Sequence, residues 1–373
     1  MRGEIIHISG FDSYNTHDSG NYIIFDFLRK LKFDSKMILA LNKSKPDIDT
    51  FFIPKDKIIE QIEEAKIIVI HDSLLDHHEI KKLHEKLNCK FIFISQDHSL
   101  IATNKCIGNL SYPDLNTKKV NEQNKLLILE KKDTFSSLPI TVVNGSTFSK
   151  NVFKNSPIYK DKNFELIPLP ADVPYCLSPK ETVRKYLKLN EQKLYIFWGT
   201  TQPKTERKGK KIFDRCLDKL WNKLTVEERD KIIILNAGPN AGKFGNNSSF
   251  KVLPVGYQKT RKDMSVYYRA STISVCTTIS DAGPMMISES MCNETPVIAF
   301  DRSISCDLCI NEQTGYLIKN LDEDEMAEKI YKILFLDNIA EMSKKSRNKY
   351  LTFHDKDVIL NKWKDLFVKL MEQ

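Results

Sequence analysis

Residues 275–300 read Val275-Cys-Thr-Thr-Ile-Ser-Asp-Ala-Gly-Pro-Met-Met-Ile-Ser-Glu-Ser-Met-Cys-Asn-Glu-Thr-Pro-Val-Ile-Ala-Phe300, and the chain runs on to Glu312-Gln-Thr-Gly-Tyr-Leu-Ile318. An apolar, β-rich run from Ile273 to Thr278 ends in a polar turn, Ser280-Asp-Ala-Gly283. Pro284 predicts the opening of a short helix, where its missing N–H costs nothing and its fixed φ helps. Asn293 predicts the left-handed turn that closes that helix. Thr295 to Phe300 predicts the next strand. In such a strand–loop–helix–strand unit, the loop sets the Asp281 carboxylate and the N–H groups near Pro284 at the C-terminal edge of a sheet. Open α/β sheets bind ligands at that edge, and a helix N-terminus attracts phosphate. Glu289 follows Pro284 by five residues, near the start of the same helix.

Working outward, strand-like runs recur at Glu4–Gly10, Lys36–Leu41, Ile67–His71, Phe91–Ser95, Ile140–Asn144 and Phe164–Pro168. A second set falls at Leu194–Gly199, Lys231–Gly238, Phe250–Gly256, Ile273–Thr278, Thr295–Phe300 and Thr314–Ile318. Helical patterns separate most of them, which predicts parallel sheets. Two sets of about six predict two Rossmann-like domains rather than one barrel, which would want eight even units. Pro168, Pro170, Pro174 and Pro179 stiffen the stretch between the sets, so the boundary is expected between Pro170 and Lys193. The expected division is residues 1–175 plus a C-terminal helix, 355–373, that crosses back, against residues 176–354.

Composition sets the class. The chain has 373 residues, 41% hydrophobic and 28% charged, as a globular protein does. No apolar run reaches the roughly 18 residues of a membrane span. The N-terminus enters a strand without the apolar core of a signal peptide, so the cytoplasm is the expected location. The formal charge of +8 suits an anionic substrate or a peripheral attraction to anionic lipid, although a lysine-rich solvated surface accounts for most of it. No nucleic-acid partner is expected. Eight scattered cysteines include one C-x-x-C, Cys306 and Cys309, with no second pair at zinc spacing, which argues against a metal or redox role.

The spacing Asp281-x-x-Pro284 with Glu289 eight positions after the Asp, then Thr-Pro-Val-Ile-Ala-Phe and Thr-Gly-Tyr-Leu-Ile, resembles the donor-binding signature of glycosyltransferase family 4. The Asp in first place resembles the colanic-acid-type branch of that family. The resemblance implies the GT-B fold, two Rossmann-like domains facing a central cleft, and a nucleotide-diphosphate sugar as donor. It also implies a glycan, lipid-linked saccharide or other acceptor, and retention of configuration. By the same resemblance Glu289 takes the ribose hydroxyls, Asp281 lies at the donor sugar, and Gly283, Pro284, Met285 and Met286 form the diphosphate loop. Two departures stand out. The family's Ala-Cys-Gly is Cys292-Asn-Glu294 here, and the Gly-Gly after the Ala-Phe strand is replaced by Arg302-Ser-Ile-Ser305.

The resemblance extends to the start of the second domain, Tyr195-Ile-Phe-Trp-Gly, with Arg207-Lys208-Gly209 starting eight residues after Gly199. In the family a Lys before Gly grips the diphosphate, and Lys208 takes that place with Arg207 beside it. Five of the eight residues from Lys204 to Lys211 are basic. Such a run is commonly a solvated face, but between a strand and a helix it reads as a phosphate site. In the first domain, Gly20 stands where the family has a Gly-rich loop close to the donor phosphates. Gln96-Asp97-His98, with Cys106 beyond, stands where relatives read His-Asp. Asp97 and His98 are therefore the candidate groups for acceptor or donor sugar, against a loop-anchoring Asp with an exposed His. His71 is either a site residue or a core histidine. Tyr257 either packs on a base or joins the core.

No cofactor and no metal are expected. Asp47-x-Asp49, Asp322-x-Asp324 and Asp355-x-Asp357 have the spacing of a metal–diphosphate site, yet none follows an apolar strand at a sheet edge. No Gly-x-Gly-x-x-Gly follows Gly10 or Gly199, which weakens a dehydrogenase reading. The alternative to an active transferase is a catalytically inactive GT-B-like scaffold that binds nucleotide or glycan.

Overall fold

A computed structural model describes residues 1–9, 20–39, 50–71, 74–95, 118–201, 203–238, 249–281 and 283–373. The chain forms two compact units, Met1–Asp172 with Asp355–Gln373, and Val173–His354.

Among the described residues the first unit holds a seven-stranded sheet. Its strands are β1 (Ile5–Ser9), β2 (Ser35–Leu39), β3 (Thr50–Phe52), β4 (Ile67–Ile70), β5 (Lys90–Ser95), β6 (Ile140–Asn144) and β7 (Asn163–Leu166). They lie in the order β3-β2-β1-β4-β5-β6-β7, and each neighbouring pair is parallel. Burial on both faces explains the continuous apolar runs of β1, β4 and β5. Ile6, Ile8, Ile68, Ile70, Phe91 and Phe93 pack on one face. Ile5, Ile67, Val69, Ile92 and Ile94 pack on the other. The C-terminal helix Lys356–Glu372, capped by Asp355, covers that second face with Ile359, Trp363, Leu366, Phe367 and Leu370. Each such buried side chain stabilises the unit by roughly 1.5–3 kcal/mol. The sequence reading misses β3: three residues are too few to show an alternation.

The second unit holds a six-stranded parallel sheet among the described residues: β8 (Leu194–Gly199), β9 (Ile232–Ala237), β10 (Lys251–Gly256), β11 (Ile273–Cys276), β12 (Val297–Phe300) and β13 (Gly315–Ile318). The order is β10-β9-β8-β11-β12-β13. The chain therefore winds outward from β8 to one edge, then returns and winds from β11 to the other.

The helix expected after Pro284 runs Met285–Cys292, with Pro284 as its N-cap. Its end corrects the sequence reading. Asn293 has φ −92°, and the left-handed residue is Glu294, at φ 55°. Asn293 is instead wholly buried and spends its amide on the start of the second unit, accepting from the Cys176 N–H at 2.8 Å and donating to the Pro174 carbonyl at 3.1 Å. Glu294 bears the strained conformation but pairs with Arg269 and accepts from the Tyr175 hydroxyl at 2.7 Å. The departure at 292–294 is thus a clamp on residues 174–176. At the other departure, Ser303 adopts φ 61°, and the Ser305 hydroxyl closes the turn onto the carbonyls of Phe300 and Arg302.

Candidate functional site

The strand order of the second unit reverses between β8 and β11, so the ligand crevice of such a sheet lies outside their carboxyl ends. Two loops meet there. The one after β8 closes in a single 3-10 turn, Glu206–Lys208, then Gly209 in the left-handed conformation at φ 70°, then the helix Lys210–Lys223. The one after β11 runs to Pro284. They are bonded to each other: the Ile279 N–H donates to the Arg207 carbonyl at 2.8 Å, and the Thr277 hydroxyl donates to the Lys208 carbonyl at 3.2 Å. The Trp198 indole N–H fixes Thr277 from below at 3.0 Å.

This junction brings Arg207, Lys208 and Asp281 together. Lys208 Nζ lies 2.6 Å and Arg207 Nη1 3.1 Å from the same Asp281 oxygen, Oδ2. The other oxygen, Oδ1, accepts the Gly283 N–H at 3.2 Å. Burial pulls the Asp281 carboxyl upward, but Lys208, Arg207 and the Gly283 amide together outweigh it and hold it below the ordinary carboxylate value. Asp281 is therefore an anion in the resting site.

Glu289 sits one and a half turns into the helix Met285–Cys292 and is 13% exposed. Its Oε2 accepts the Tyr268 hydroxyl at 2.8 Å, and Arg261 Nε stands 3.7 Å from Oε1. Burial raises the Glu289 pKa; Arg261 and Tyr268 only partly offset it. Burial also pushes the Tyr268 phenol well up, so it stays a donor. These groups form one wall of a cavity of about 430 Å³ whose other walls come from the loops after β8, β9 and β10, including Thr200, Gly238 and Tyr257. Tyr257 is 68% exposed, which removes the core reading for it. Arg207, Lys208 and Asp281 are not in the cavity wall; they occupy the neighbouring stretch of the same sheet edge.

Met285 and Met286 form the first turn of the helix after Pro284, and the Met286 side chain packs against two apolar clusters. Gly20 is the first residue of the helix Gly20–Lys30 in the first unit. Asp97, His98 and Cys106 lie outside the described residues. His71 is fully buried at the end of β4, and its Nε2 lies 2.9 Å from His7 Nδ1. Burial drives both histidines down, His7 to about 3, so both are neutral core residues at pH 7. Asp322 and Asp355 spend their carboxylates capping helices, which accounts for two of the three Asp-x-Asp pairs; Asp47 and Asp49 lie outside the described residues. A grouping of ligand-type side chains in the first unit, His77, His78 and Glu130, brings its donor atoms within 4.8 Å of one another. Both histidines begin a helix, whose N-terminal partial charge is positive and disfavours a cation; burial first, then the neighbouring His78, lowers the His77 pKa, against the Asp76 and Glu130 carboxylates.

Sequence reasoning missed Tyr268, Arg261 and Thr277. The first two lie on the helix Arg261–Ala270, which carries no motif, and only its position after β10 places them at the cavity. Thr277 is a β-branched residue at a strand end, and nothing in the sequence marks its hydroxyl as the bolt between two loops.

Residues 243–350 match the model of glycosyl transferases group 1. A curated relative, the poly(ribitol-phosphate) alpha-N-acetylglucosaminyltransferase of Staphylococcus aureus (strain COL), is 35% identical over 81 residues, covering 21% of this chain and 16% of that protein. The chain thus spans well under two thirds of the length of that relative. Among solved structures, the sucrose-phosphate synthase from Thermosynechococcus elongatus superposes with a TM-score of 0.72 over 100% of both chains, at 16% identity. Anabaena HepE, solved with UDP and glucose, gives 0.67 at 11% identity over 98% of this chain and 100% of its own. A Staphylococcus aureus TarM variant, solved with fondaparinux, alpha-GlcNAc-glycerol and UDP, gives 0.54 at 15% identity over 81% of this chain and 55% of its own. The two parallel α/β sheets are thus those of the GT-B fold.

Proposed function

We propose that this chain transfers a sugar from a nucleoside-diphosphate sugar to a hydroxyl of a glycan, lipid-linked saccharide or other acceptor, with retention and without a metal. The observation that carries this reading is the junction at the sheet's switch point. Two cations, Arg207 and Lys208, and the helix start after Pro284 adjoin a cavity that ends in the buried Glu289 carboxylate. A departing nucleoside diphosphate needs that combination: positive groups at the phosphates and an acceptor of hydrogen bonds at the ribose. Lys208, Arg207 and the backbone N–H groups of Gly283, Met285 and Met286 neutralise the leaving group. Glu289, oriented by Tyr268 and Arg261, takes the ribose hydroxyls, and the base lies toward Tyr257 and Gly238. Asp281 works at the donor sugar, and Asp97 and His98 serve the acceptor side. The similarity to UDP-bound structures makes uridine donors the first to test. A net +8 charge supplies the attraction that a peripheral association with anionic lipid would use. Among the described residues, no helix is long and apolar enough to cross a membrane.

The reading is tested by donor hydrolysis and transfer across a panel of nucleotide sugars; a folded protein that cleaves none of them overturns it. Transfer is expected to persist in excess EDTA, because the leaving group's charge is met by Lys208, Arg207 and oriented amides. A strict requirement for Mg²⁺ or Mn²⁺, restored on adding the ion back, would refute the metal-free mechanism.

Glu289→Gln separates binding from folding. The buried carboxyl has a raised pKa in the folded state, so its ionised form costs stability at neutral pH. Wild-type stability therefore gains as pH falls through the raised value toward the ordinary one, and the glutamine variant lacks that gain. The variant is expected to melt no lower than wild type at pH 7, yet to bind nucleoside diphosphate roughly 10- to 100-fold more weakly, the loss of charge-assisted hydrogen bonds. Unchanged affinity in calorimetry would remove Glu289 from the ribose.

A further inference from the structure

The groups assigned to the diphosphate are not idle in this structure. Lys208 Nζ and Arg207 Nη1 converge on one carboxylate oxygen, at 2.6 and 3.1 Å, and the Gly283 N–H holds the other at 3.2 Å. Side-chain cations on one side and a backbone amide on the other are the donor set that a phosphate oxygen would use. The three side chains are 17–30% exposed, so their mutual attraction is only partly screened. We propose that the Asp281 carboxylate is the resting occupant of the diphosphate subsite, a built-in counter-ion that an incoming diphosphate must displace.

The proposal rests on the donor-site reading above and adds its regulation. Both cations turn to a single carboxylate, which carries one negative charge and two oxygens. A diphosphate, with more charge and more oxygens than a carboxylate, wins the exchange; a singly charged anion gains little by it. Displacement also frees Asp281 at the moment the donor is seated, which is when a carboxylate beside the sugar is wanted. Asp281 thereby holds Lys208 and Arg207 in place between turnovers and couples their release to donor arrival.

Calorimetry at pH 7 with inorganic pyrophosphate, with UDP, GDP and ADP, and with the corresponding nucleosides tests this on the full chain. Asp281→Asn is expected to bind pyrophosphate and nucleoside diphosphate roughly tenfold more tightly than wild type, because a charged competitor is gone. Its affinity for the nucleoside is expected to be unchanged and its transfer turnover to fall, a split that a merely structural residue would not give. Asp281→Ser serves as a second variant should the first not fold. Should neither fold, the side-chain carboxyl carbon of Asp281 is followed by NMR in the wild-type protein. A shift on adding pyrophosphate supports the exchange, and none overturns it. If the variants bind pyrophosphate no more tightly than wild type while nucleoside diphosphates still bind, the counter-ion proposal alone fails. If no nucleoside diphosphate binds either protein, the donor-site reading fails and takes the proposal with it.

Discussion

Lys208→Ala is expected to lower sugar-transfer turnover by roughly 10²–10³-fold, the loss typical of removing one donor aimed at charge that develops in the transition state. Its neighbours should matter far less, for reasons the structure gives. Lys204 is exposed. Lys210 is held by Asp214 one helical turn on, at 2.8 Å. Lys211 is 79% exposed beside an equally exposed Glu206, a pairing worth little in water. Lys208 is 17% exposed and aimed into the junction. Its backbone carbonyl is bolted to Thr277, so its side chain starts from a fixed point. Single-turnover rates with saturating donor for Lys204→Ala, Lys208→Ala and Lys210→Ala decide the matter. Equal losses in all three would mean that the run acts as a diffuse field and that no specific grip exists.

Strand existence was legible because doubly covered parallel strands are continuous apolar runs, as in Ile67-Ile-Val-Ile and Ile232-Ile-Ile-Leu. The short edge strand Thr50–Phe52 lacks that signal. The switch-point loops were legible as well, since Gly209 and Pro284 punctuate them and the basic run stands between a strand and a helix. The partners were not. That Lys208 and Arg207 both reach Asp281 follows from how β8 and β11 lie side by side, a pairing across 73 residues from Lys208. That Glu289 is braced by Tyr268 depends on a helix whose sequence is ordinary. The residue type of Asn293 predicts a helix stop, whereas a buried amide with partners at 174 and 176 decides its conformation, and the left-handed turn falls at Glu294. Tertiary hydrogen bonds overrode a local preference there.

Gly209→Ala is expected to cost the folded protein more than about 3 kcal/mol, the range that a named backbone conflict produces, and to abolish donor binding. A Cβ on Gly209 would lie 1.9 Å from the Thr277 carbonyl oxygen and 2.8 Å from its carbon. Those are backbone atoms, so no rotamer relieves the overlap. The two loops would have to separate, breaking the Ile279–Arg207 and Thr277–Lys208 bonds that aim the cations. Gly209 also sits at φ 70°, which alone costs a side-chain-bearing residue about 1–2 kcal/mol. Two other glycines in the same site separate these contributions. Gly256 has φ 72° but no atom within 4 Å of the added Cβ, so Gly256→Ala should cost the conformational share only. Among the described residues nothing lies within 4 Å of a Cβ added at Gly283, so Gly283→Ala should leave stability nearer wild type than Gly209→Ala does. Denaturant unfolding of the three variants measures the series. If Gly209→Ala proved no worse than Gly256→Ala, the close approach of the two loops would not be what requires glycine after Lys208, and the rigid junction on which the Lys208 expectation depends would go with it.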